Sequence, residues 1–201
     1  MLVLLAGAAN LAGCSAPESD TQRIQRLARK GDVEGLAHEI AKNDATVGRE
    51  AVRALATLGE KAEPQVRLAL GDSRAPIREA AAAAYPQVAG PKAAPDLARL
   101  ARLDADPDVR AVAVTGLGRL VALDEMEALF EALEDPNALV RRRAVSAVER
   151  LVGRRYDICA SGTPEERHRV VAELREEWPR IESHTRQYHE GFRPPARRAE
   201  D

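Results

Sequence analysis

The sequence predicts an all-α fold, an α-α superhelix of about four to five helical hairpins with a C-terminal capping helix. Three observations carry this expectation. The segment from Asp106 to Val121 reads Asp-Pro-Asp-Val-Arg-Ala-Val-Ala-Val-Thr-Gly-Leu-Gly-Arg-Leu-Val, and its pattern returns around Ala51, Ala81 and Ala144, which with Ala113 stand 30, 32 and 31 residues apart. A period of that size marks stacked helical hairpins. Hydrophobic residues make up 45% of the 201 but aromatic residues only 3%; a core of Ala, Leu, Val and Ile suits closely stacked helices and argues against a β-sandwich. Small residues also recur in register, at Ala54, Ala84, Gly116 and Ala147, where helices must approach one another.

Residues 1–13 carry no charge and are mostly Leu, Val, Ala and Gly. As a helix they would span only about 20 Å, too short for a hydrocarbon layer about 30 Å thick. The run ends in Leu11-Ala12-Gly13-Cys14 and passes into a polar linker, Ser15 to Asp20. This order resembles the lipobox of bacterial lipoproteins, which implies a signal segment over 1–13, cleavage before Cys14, and a lipid on its sulfur. Ser15 after the cysteine implies, by the rule for enteric bacteria, the periplasmic face of the outer membrane. The pattern departs from the family in one respect: no Lys or Arg precedes the apolar run.

The array is expected over 21–152. Ile24, Leu27 and Ala28, then Val33, Leu36 and Ile40, form a first hairpin that turns at Gly31-Asp32. It matches the repeat poorly, as terminal repeats do. From Asp44 the columns sharpen: Val47, Ile77, Val109 and Val140 in one, Val52, Ala82, Val114 and Val145 in another. Each unit opens near an aspartate, Asp44, Asp72, Asp106 or Asp135, and three carry an arginine soon after, Arg78, Arg110 and Arg141; Gly48 breaks that column. Pro64 and Pro95 mark the starts of two partner helices.

These residues resemble the HEAT family, and within it the short bacterial HEAT-like repeats associated with phycobilisome lyases, over roughly 44–152. The resemblance implies a ladder in which each aspartate caps a helix and meets an arginine of the adjacent repeat. The expected ladder residues are Asp72, Arg78, Asp106, Arg110, Asp135 and Arg141.

After Val152 the period fails. Residues 153–163 read as a loop, and Thr163-Pro164-Glu165-Glu166 opens capping helices over 164–190. Val171, Leu174 and Trp178 give these an apolar stripe, and Pro179 is expected to stop or kink it. Residues 191–201 are expected to be disordered.

Little in the chain calls for catalysis. Cys159 has no Cys-His signature around it, and a structural thiol is its default reading. His184 and His189 are five apart, which on a helix points them to different faces, while His38 and His168 lack a partner at ligand spacing. Arg141, Arg142, Arg143, Arg150, Arg154 and Arg155 form the one basic cluster, diluted by Glu149, and read as a solvated face. A net charge of -2 pulls the chain neither to nucleic acid nor to an anionic surface. There is no phosphate loop and no Ser-His-Asp order. The expectation is therefore a lipid-anchored, non-enzymatic scaffold or assembly factor of the bacterial envelope that binds another protein, with no cofactor, no metal and no nucleic acid. The rival is a cytosolic HEAT-like enzyme or enzyme subunit resembling phycobilin lyases or DNA glycosylases.

Overall fold

A computed structural model of the chain describes residues 17–42, 44–153 and 161–191. Cys14, Cys159, Arg154, Arg155 and the expected tail from 192 onward lie outside them. All regular structure among the described residues is helical. The first hairpin pairs α1 (Asp20–Lys30) with α2 (Val33–Ala41), the second α3 (Ala45–Ala56) with α4 (Glu63–Ala69). Then follow α5 (Ala75–Ala89) with α6 (Ala94–Leu103), and α7 (Pro107–Leu120) with α8 (Met126–Leu133). Last come α9 (Ala138–Val152), which packs on α7 and α8, and α10 (Pro164–Gly191), which packs on α8.

Local chemistry explains where these helices begin and end. Ser19 and Gln22 form a reciprocal capping box at the head of α1, and Gly31, at φ 65°, takes the left-handed turn after it. Asp32, Asp44 and Asp106 accept backbone N–H groups at the heads of α2, α3 and α7. Tight 3₁₀ turns at Gly59–Ala62 and Gly90–Ala93 lead into α4 and α6, where Pro64 and Pro95 lie in the first turn and cost no hydrogen bond. Thr163 and Glu166 cap α10 reciprocally, at 3.2 and 2.8 Å.

The first helices α1, α3, α5, α7 and α9 pack in sequence as one layer; on the other side α2 packs on α4, α6 on α8 and α8 on α10. Between them lies one continuous core of aliphatic side chains. Its centre is the repeated alanine: Ala51, Ala81, Ala113 and Ala144 are each 0% exposed. Small residues are obligatory where neighbouring helices of one layer meet closely. A Cβ on Gly118 would stand 2.9 Å from that of Ala147, so α7 and α9 can approach only over a bare backbone.

Of the two outcomes expected at Pro179, a stop does not occur, because α10 continues through it. Proline deletes one helical N–H, and Pro179 is exposed, so water can satisfy the freed carbonyl. Both halves are also held from outside. Buried Val171, Leu174 and Thr185 face the array, Arg175 pairs with Glu127 at 2.7 Å, and Arg186 with Asp124 at 2.6 Å.

Candidate functional site

The loops between hairpins set the angle at which each first helix meets the next, and two arginines fasten them. Arg78 sends Nε and Nη2 to the two carboxylate oxygens of Asp104, both at 2.8 Å, while its Nη1 donates to the carbonyls of Asp72 and Ser73. Arg110 repeats this one unit on, with Asp135 at 2.8 and 3.0 Å and the carbonyls of Asp104 and Ala105. Arg141 makes the same inner clamp, to the carbonyls of Asp135 and Pro136. Each carboxylate also accepts the backbone N–H two residues on: Arg74 for Asp72, Asp106 for Asp104, Asn137 for Asp135.

This geometry corrects the expected ladder. Asp106 is a helix cap and not a rung; the rung is Asp104. Caps and rungs are separate columns two residues apart, with Asp44, Arg74, Asp106 and Asn137 at the cap position. The rung carboxylates are Asp72, Asp104 and Asp135. Asp72 is not met by an arginine of the preceding unit, where Gly48 stands. Arg74 holds it instead, at 2.9 and 2.8 Å, and reaches back to the carbonyls of Lys42 and Ile40 at 2.5 and 2.7 Å.

The charges respond as such a lattice requires. The Arg74 guanidinium holds Asp72 below the usual carboxylate range, outweighing its partial burial. Burial pushes Asp104 up, but Arg78, the Asp106 N–H and Arg110 together bring it below that range. Arg78 and Arg110 are raised by their carboxylate partners. Tyr85, buried on α5, shares its hydroxyl between Glu63 and Asp96 at 3.2 and 3.3 Å, and burial beside these acids pushes it up to about 12.

What the lattice holds open is a groove along the exposed side of the first helices. One recess of it, about 330 Å³, lies over α5, α7 and α9 with Ala82, Pro86, Ala111, Val112 and Leu139 in its lining. A second recess of about 290 Å³ lies over α3 and α5, sharing Glu79 and Ala83 with the first, and a smaller one shares Thr115, Arg119 and Arg143. Arg49 and Arg53 border one end, Arg119, Arg143 and Arg150 the other, with Glu79 and Asp108 between them. None of these five arginines has an ion-pair or hydrogen-bond partner among the described residues. On the second helices, by contrast, Arg67 pairs with Asp96, Arg102 with Glu131, Arg175 with Glu127 and Arg186 with Asp124, while Arg99 and Arg169 lack a partner among the described residues.

In sequence, Arg143 and Arg150 read as part of a solvated face, and no motif marks Arg49, Arg53, Glu79 or Asp108. One signal was available: Gln87, Arg119 and Arg150 follow the repeat spacing and so share a column. His168 lies 2.8 Å from Glu134 and His189 2.7 Å from the Leu151 carbonyl, so both make contacts within the fold. No group of three or more metal-ligating side chains occurs among the described residues, and no described helix is long and apolar enough to cross a membrane.

No curated protein matches the chain. Among solved structures, it is similar to the complex of CpcE and CpcF of phycocyanin lyase from Nostoc sp. PCC7120, at 23% identity and a TM-score of 0.52, over 73% of this chain and 88% of that one. The likeness is one of fold. It overturns the expectation of a protein that is no enzyme, because this architecture belongs to a lyase complex and the lack of a familiar catalytic motif cannot exclude chemistry on it. The profile of HEAT repeats matches residues 33–118 and 98–157. These spans cover more than half of the sequence and contain every repeat column described above, and the chain belongs to the HEAT-repeat family.

Proposed function

We propose that the chain is a protein-binding HEAT array, a scaffold or assembly subunit that engages a partner along the groove of its first helices. The observation that carries this reading is the groove itself, which runs across α3, α5, α7 and α9 with apolar residues in its lining and arginines left unengaged by the fold. Stacked hairpins provide extended surfaces of this kind, and binding there needs no cofactor. The similar Nostoc structure is itself a complex of two chains, which supports a protein as the partner. That likeness also favours a second reading, a subunit of a lyase-like assembly.

Anchoring is a further part of the proposal. Leu11-Ala12-Gly13-Cys14 supports lipidation at Cys14 and a place on the bacterial envelope, at the periplasmic face of the outer membrane. Detergent-phase partitioning tests it: the protein should enter the detergent phase, and Cys14→Ser should abolish that behaviour.

Partner binding is tested with a photo-crosslinking side chain placed in cells at Ala83, in the groove, or at Leu68, 72% exposed on α4. A discrete adduct at Ala83 and none at Leu68 is expected. Equal capture at both, or none at Ala83, would remove the reading.

A further inference from the structure

We propose that the groove receives an acidic, partly apolar segment of the partner protein, an inference that rests on the protein-binding reading above. Its basis is the separation of two kinds of arginine. Those that join units, Arg74, Arg78 and Arg110, are neutralised by carboxylates within 2.8 to 3.0 Å. Of the five along the groove, Arg53, Arg119, Arg143 and Arg150 are exposed and Arg49 is half-buried, and none has an ion-pair partner among the described residues. Five cations against Glu79 and Asp108 leave a surplus of positive charge on a protein whose net charge is -2. The positive field is thus local to this face, and a complementary ligand must bring carboxylates to it.

The lining between the arginines decides the class of ligand. Ala82, Pro86, Ala111, Val112 and Leu139 form an apolar recess that a phosphate backbone cannot use but a leucine or valine side chain can fill. No aromatic residue lines the groove to stack a base, and Glu79 and Asp108 would repel phosphates. A polypeptide meets both demands, with carboxylates to Arg49, Arg53, Arg119, Arg143 and Arg150 and apolar side chains between them.

The test measures fluorescence anisotropy of the full chain with a labelled helical peptide of glutamate and leucine, its lysine-and-leucine counterpart, and a short duplex DNA. The glutamate peptide should bind most tightly and weaken as salt rises. Arg53→Ser, Arg119→Ser and Arg143→Ser combined should weaken it on the order of tenfold, three exposed pairs being removed. All three side chains are exposed, so the melting temperature should not change. Lysine at the same positions should restore binding. Equal binding of the lysine peptide, an unaffected triple variant, or tighter binding of DNA would overturn the proposal, the last reassigning the groove to nucleic acid. The crosslink at Ala83 separates the two levels of failure. A partner captured equally by the parent and the triple variant removes the acidic segment and leaves the protein-binding array, whereas no capture removes both.

Discussion

Arg110 shows how one side chain can hold two loops at once. Its guanidinium binds Asp135 of the following unit with two nitrogens and its own loop's carbonyls with the third, and the paired side chains are only 13% and 8% exposed. Removing it strands a nearly buried carboxylate. Arg110→Ala should therefore cost about 3 kcal/mol in chemical denaturation. Arg102→Ala, which breaks a pair with 32% and 46% exposure, should cost under about 1 kcal/mol. The rungs also predict an acid response. Because Asp72 and Asp104 titrate below the unfolded carboxylate value, near 3.9, their contribution is full above that value and is lost as pH falls through their lower folded values. Stability measured against pH should stay level down to about 5 and then fall. In Asp104→Asn the fall should be shallower, and an unchanged slope would mean that the rung carries no proton linkage.

At the scale of the helix, the second unit differs from the others in a way that a consensus argument would misjudge. Gly48 stands where Arg78, Arg110 and Arg141 stand in later units, and filling it with arginine looks like a repair. The structure predicts the opposite. A Cβ at that position would lie 2.6 Å from Cδ1 of the fully buried Ile77, and Asp72 already has Arg74. Gly48→Arg should lower stability by about 1–3 kcal/mol, the usual range for overpacking, as read from the thermal midpoint. The same region shows what sequence alone could carry. The apolar columns were legible because burial follows a period, and Ala51, Ala81, Ala113 and Ala144 are indeed enclosed. The ladder was only half legible, because caps and rungs lie two residues apart and both use aspartate. Asp104-Ala105-Asp106 shows one of each, and only the direction of the Arg78 side chain tells them apart. Pro179 does not end α10 for a related reason: its local preference is to break a helix, but the docking of α10 on the array keeps the helix going.

Over the whole molecule, the groove was not visible in the sequence because its character depends on which arginines are already engaged. Thirty Lys and Arg residues against 32 Asp and Glu give a chain that reads as neutral. The fold sorts them, engaging Arg74, Arg78 and Arg110 between units and leaving the five arginines of the groove without a partner among the described residues. This sorting requires the units to be copies of one hairpin, each supported chiefly by its neighbours, so that stability passes along the stack from unit to unit. Native-state hydrogen exchange on the parent and Arg110→Ala tests that requirement most directly. Protection should fall most in α7 and α9, which flank the lost rung, and least in α1. A drop of equal size in every helix, or one centred away from α7 and α9, would contradict the account.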